Sequence, residues 1–104
     1  MQNLEIRNII TAGATSRIIT TTTSNVTLGN APLTDYVCIV WGNAIITLPT
    51  AVTNWNSYTV KNIFTSNISV VFTGGQNADA VTSVSINSDT SLTFISNWSN
   101  WYII

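Results

Sequence analysis

The side chains able to do acid–base, nucleophilic or metal chemistry are few and scattered: Glu5, Asp35, Asp79 and Asp89, the cations Arg7, Arg17 and Lys61, one cysteine, Cys38, and no histidine. A catalytic pair or a metal centre needs several such groups to converge, and without His the commonest general base and metal ligand are both missing. Asp79 and Asp89 each stand beside turn-forming residues, where Asp ordinarily bonds to nearby backbone. Cys38 sits within the apolar run Tyr36-Val37-Cys38-Ile39-Val40-Trp41, which predicts a buried small hydrophobe and not a nucleophile. Gly74-Gly75 lacks the Lys-Ser/Thr of a phosphate loop. The expectation is a non-enzymatic protein with no catalytic residue, no cofactor and no metal.

The elements that would carry such a surface are legible in the composition. Charged residues make up 7% of the 104 positions, against roughly a quarter in ordinary soluble proteins. Polarity comes instead from 17 Thr, 13 Asn and 11 Ser; Thr suits a pleated, half-exposed surface, while Asn and Ser suit turns. Three cations are too few for phosphate-driven nucleic-acid binding or for an anionic membrane surface. No apolar run approaches the ~20 residues of a spanning helix. Residues 1–20 lack the basic start and continuous apolar stretch of a signal peptide, so synthesis in a cytoplasm is expected.

No segment shows helical periodicity, whereas β-branched and aromatic runs recur between Gly, Asn, Pro and Ser. The pattern predicts strands near 17–22, 26–28, 36–41, 44–48, 57–63, 67–73, 80–87, 91–96 and 100–104, as a small antiparallel sandwich or barrel of short strands. Gly42-Asn43 and Asn87-Ser88-Asp89 read as hairpin turns, Gly74-Gly75 as a pair of positive-φ positions, and Pro49 as a strand exit. Residues 26–104 form the β-rich module. Residues 1–25 carry three of the seven charges and read either as an N-terminal arm or attachment segment or as an edge strand.

Two strands are apolar on both parities: Tyr36–Trp41 and Trp101-Tyr102-Ile103-Ile104. Such strands need cover on both faces, and a sheet protein of this length has little to spare. A second copy of the chain is the economical cover, which makes Tyr36, Val37, Ile39, Trp41, Trp101, Tyr102, Ile103 and Ile104 the expected oligomer interface. Of the four tryptophans, Trp55 lies between Asn54 and Asn56 in an expected loop. An aromatic face beside amide groups is the chemistry of a glycan contact, although loop packing is the more economical reading of Trp55.

Residues 35–104 also resemble a module found near the C-termini of bacteriophage tail-fibre and head-fibre proteins. An Asp35-Tyr36-Val37 opener is followed in order by Ile46-Thr47-Leu48-Pro49-Thr50-Ala51, by Tyr58-Thr59-Val60-Lys61-Asn62, by Ser91-Leu92-Thr93-Phe94-Ile95-Ser96 and by Asn100-Trp101-Tyr102-Ile103-Ile104. The resemblance implies a homotrimeric β-module on the virion surface, often used for host attachment. The chain departs from the pattern where such modules often place Gly-containing turns: Gln76-Asn77-Ala78-Asp79-Ala80 replaces an acidic Ile-Asp-Gly turn, and Asn97-Trp98-Ser99 replaces an Asp-Gly. A chain opening on Met1 reads as a whole small protein, which favours a head fibre or capsid decoration over the tip of a long tail fibre. The expected partners are the chain itself, other virion proteins through residues 1–25, and host surface glycans. The alternative is a lectin-like carbohydrate-binding domain in which Trp55 or Trp98 stacks on a sugar.

Overall fold

The computed structural model describes residues 16–29, 33–52 and 57–104, with the side chains of 16–18 and 33–36 outside that description. The chain is all-β. Among the described residues nine strands run in order: β1 Ser16–Thr22, β2 Val26–Thr27, β3 Leu33–Val40, β4 Ile45–Leu48, β5 Ser57–Asn62, β6 Ile68–Phe72, β7 Ser83–Ile86, β8 Thr90–Ser96 and β9 Trp101–Ile103. Each strand expected from the β-branched runs is present. They form two sheets, one ordered β1-β3-β5-β8-β9 and the other β2-β4-β6-β7.

Strand direction differs from the expected antiparallel pattern. The chain alternates between sheets from β1 to β6, so β1, β3 and β5 stack in parallel in one sheet while β2, β4 and β6 stack in parallel in the other. Parallel neighbours need a crossover, and here each crossover contains a strand of the opposite sheet. Only the last third is antiparallel, with β7 on β6, β8 on β5 and β9 on β8. The outcome is two turns of a flattened parallel coil, closed by antiparallel strands.

The corners explain why hairpin signals misled. Gly42-Asn43 joins β3 to β4 in the other sheet, and successive corners continue the parallel ladder, with Trp41 N–H donating to Thr22 O at 3.0 Å and Ile63 N–H to Val40 O at 2.8 Å. This stacking dictates glycine: a Cβ on Gly42 would lie 2.5 Å from the Thr23 carbonyl oxygen and 2.8 Å from Thr23 Cα. Asn25 Oδ1 accepts from Ile45 N–H at 2.8 Å, tying one corner to the next. Asn87–Asp89 likewise carries the chain from one sheet to the other, not around a hairpin. Gly74 and Gly75 adopt φ of 67° and 74°, as their sequence predicts, and Pro49 follows directly on β4.

Alternation places the core between the sheets. Cys38 and Val40 of β3, Tyr58 and Val60 of β5 and Phe94 of β8 meet Ile46 and Leu48 of β4, Ile68 and Val70 of β6 and Ile86 of β7. Full burial of a large aliphatic or aromatic side chain stabilises by about 1.5–3 kcal/mol. Trp101 is wholly buried and meets Tyr58 edge-on, ring centroids 5.4 Å apart. Asn62 is buried without being wasted: its Nδ2 donates to the Ser66 and Ile86 carbonyls and its Oδ1 accepts from Phe64 N–H, which fixes the β5–β6 corner against the end of β7. Ser16–Thr22 lies at the edge of its sheet among the described residues, paired with β3, so the segment read either as an arm or as an edge strand is in the sheet from Ser16 onward; residues 1–15 lie outside the described residues.

Candidate functional site

The dispersed titratable groups stay dispersed in chemical role. Asp79, at φ 47°, and Ala80, at φ 69°, form a two-residue turn closed by mutual backbone bonds between Ala78 and Val81. That turn caps the free side of β9: Trp101 N–H donates to Asn77 O at 2.9 Å, Asp79 N–H to Trp101 O at 3.2 Å, and Ile103 N–H to Asp79 Oδ1 at 3.3 Å. An edge strand with open N–H groups invites pairing with other chains, and Asp79 blocks this one. Asp89 holds a positive-φ turn position, its N–H donating to Asn62 O at 2.8 Å and its carbonyl accepting from Lys61 Nζ at 3.3 Å. The Asp79 carboxylate therefore bonds to backbone, as its turn setting predicts, while Asp89 holds its turn through its own backbone N–H and carbonyl. Cys38 is buried. Among the described residues no cluster of metal-ligating side chains occurs.

The surface feature of this molecule is a sheet face. Because Cys38, Val40, Tyr58, Val60 and Phe94 point inward, their alternation partners point outward on the five-stranded sheet. One row crosses four strands and reaches the residue just past the fifth: Ile19 pairs with Val37, Val37 with Thr59, Thr59 with Thr93, and Ile104 N–H, following β9, bonds to Thr93 O. A second row runs Ser57, Ile95, Tyr102, and a third runs Thr21, Ile39, Lys61, Ser91. At the centre Thr59 and Thr93 share a hydroxyl–hydroxyl bond of 2.9 Å. Ile19 is 67% and Ile104 74% exposed, and Trp41 and Ile63 extend the face beyond the ends of β3 and β5. Within the strands, Lys61 is the one charged side chain on this face among the residues whose side chains are described.

The expected interface residues divide on this geometry. Val37 and Ile39 are half-buried on the outer face, and Trp41, Tyr102 and Ile104 are exposed there. Trp101 and Ile103 are corrected: they are the inward parity of β9, Trp101 filling the core beside Tyr58 and Ile103 packing against it. A doubly apolar strand reads the same whichever parity faces in, so the sequence could not separate the two sets. The side chain of Tyr36 lies outside the described residues, as do Asn54, Trp55 and Asn56. Ile19, Ile63 and Ile95 complete the face without having been singled out; their signal is the parity they share with Val37, Trp41 and Tyr102, readable only once the strand register is known.

Trp98 is the other exposed tryptophan besides Trp41 among the described residues, at the tip of the β8–β9 hairpin and at φ 79°. Comparison of the chain with protein-family models, with curated proteins and with solved structures finds no match.

Proposed function

We propose that the chain is a non-enzymatic structural protein of a tailed-bacteriophage virion, a homo-oligomeric surface module of the head-fibre, capsid-decoration or tail-fibre type. The observation that carries the oligomeric part is the outer face of the five-stranded sheet, where Ile19, Ile95, Tyr102 and Ile104 are exposed and Val37 and Ile39 half-buried on either side of the β5 residues Ser57, Thr59 and Lys61. Exposed apolar clusters mark association surfaces. A second copy supplies matching chemistry, and the resemblance favours three.

The virion assignment is supported by the five ordered segments of residues 35–104, of which the Tyr58–Asn62, Ser91–Ser96 and Asn100–Ile104 segments fall on adjacent strands of that sheet. Attachment to other virion proteins is assigned to the N-terminal end ahead of β1, and contact with host surface glycans to the exposed part of the module. The absence of histidine and the backbone roles of Asp79 and Asp89 support the non-enzymatic reading. The test is quantitative protein analysis of purified phage particles encoding this chain. A fixed copy number, a multiple of the oligomer and comparable to a capsid or fibre component, is expected; absence from washed particles overturns the assignment.

A further inference from the structure

Of the chain's seven charged side chains, three are described: Lys61, Asp79 and Asp89. Folding accounts for one of them. The Asp79 carboxylate accepts from Ile103 N–H at 3.3 Å and closes the edge of β9. Asp89 differs, because its turn is held by backbone groups: its N–H donates to Asn62 O at 2.8 Å and its carbonyl accepts from Lys61 Nζ at 3.3 Å. At φ 60° a glycine or asparagine would hold that position at least as well. The Asp89 side chain is exposed, and among the described residues no hydrogen bond or ion pair engages its carboxylate. Lys61 likewise meets a neutral carbonyl and no carboxylate. In a chain that draws its polarity from Thr, Asn and Ser, an ammonium and a carboxylate without a folding role stand side by side.

Their place gives them a role. Lys61 is half-buried on the outer face of the five-stranded sheet, in register with Ile39 of β3 and Ser91 of β8, and Ile63, two residues on, is exposed. Asp89 stands at the same end of that face, one residue before β8 and bonded to the last residue of β5. Covering the face takes the ammonium out of water, and one neutral carbonyl at 3.3 Å does not compensate a buried charge. Compensation has to come from the covering surface. An apolar partner surface lacks it, whereas a second copy of the chain carries a carboxylate beside its own Lys61.

We infer that Lys61 of one copy and Asp89 of the next form an ion pair that sets the register in which the five-stranded faces meet. This rests on the oligomeric reading of that face. Contacts through Ile19, Val37, Ile39 and Ile95 tolerate sliding, since hydrophobic attraction is non-directional. A single charge of each sign in such a surface does not: a slipped register leaves a buried ammonium unpaired or sets like charges together. The pair therefore selects one arrangement more than it adds affinity.

Sedimentation equilibrium of the full-length protein and its charge variants tests the pair. Lys61→Glu and Asp89→Lys each set like charges together and are expected to raise the concentration for half-association by about tenfold or more, with wild-type circular dichroism. The exchange variant Lys61→Glu/Asp89→Lys restores opposite charges and is expected to associate within about threefold of wild type. Three results overturn the inference while leaving the oligomer in place: an association that either single variant leaves unmoved, an exchange variant no tighter than the weaker single, or loss of folded circular dichroism in both singles, which makes the pair a folding contact. A wild-type monomer overturns the oligomeric reading itself and this inference with it.

Discussion

The two outer faces of this sandwich are built from strands of the same kind, yet they differ in what they show. The four-stranded sheet presents Thr27, Ile45, Thr47, Ser69, Val71, Ser83 and Ser85, so hydroxyls dominate. The five-stranded sheet presents Ile19, Val37, Ile39, Ile95, Tyr102 and, just past β9, Ile104, together with Thr21, Ser57, Lys61 and Ser91, around a Thr59–Thr93 centre. Their inner faces are equally apolar, because both line one core. Folding therefore explains the inner faces and says nothing of why the outer ones diverge. Water wets a Thr/Ser face without charges; an Ile/Val/Tyr face needs another surface. The two faces thus differ mainly in their neutral residues, with Lys61 of β5 the one charge within the strands among the residues whose side chains are described.

The comparison can be broken hardest at the shared core. Trp101→Ala removes the largest wholly buried side chain and is expected to lower stability by about 3–5 kcal/mol in chemical denaturation; a loss below 1 kcal/mol would mean Trp101 is not core. Gly42→Ala is expected to cost about 1–3 kcal/mol by forcing the stacked corners apart, since the new methyl meets Thr23 backbone. A neutral result would contradict the parallel stacking of β1 on β3. The outer faces are then separated by paired variants. Ile39→Asp is expected to shift the oligomer toward monomer in sedimentation experiments, whereas Ser69→Asp on the opposite sheet leaves the mass unchanged and stability within about 0.5 kcal/mol. A small gain is expected away from both faces: Ala80→Gly relieves a left-handed alanine and is expected to stabilise by about 1 kcal/mol in thermal unfolding.

Much of this architecture was legible before any coordinates. Nine strands, the all-β class, the exit at Pro49 and the positive-φ pair Gly74-Gly75 follow from local residue chemistry. Direction did not follow, because the period of two is the same in parallel and antiparallel strands; only the meeting of Gly42 with Thr23, residues 19 apart, tells a corner from a hairpin. Parity was half legible. In Tyr58–Asn62 the alternation with Lys61 marks the outer side, and Tyr58 and Val60 are indeed buried. In Trp101–Ile104 all four residues are apolar, so nothing local says that Trp101 turns in and Tyr102 out. Two turns hold positive φ without glycine, at Asp79 and Ala80 in one and at Trp98 in the other, through side-chain and backbone bonds that no composition count reveals.

The central claim is that the five-stranded face is covered by copies of the same chain. Sedimentation equilibrium of the full-length protein at micromolar concentration tests it most directly. The account predicts a single species at an integral multiple of 11.3 kDa, three being the favoured number, that dissociates on Ile39→Asp; a stable, soluble wild-type monomer would contradict it.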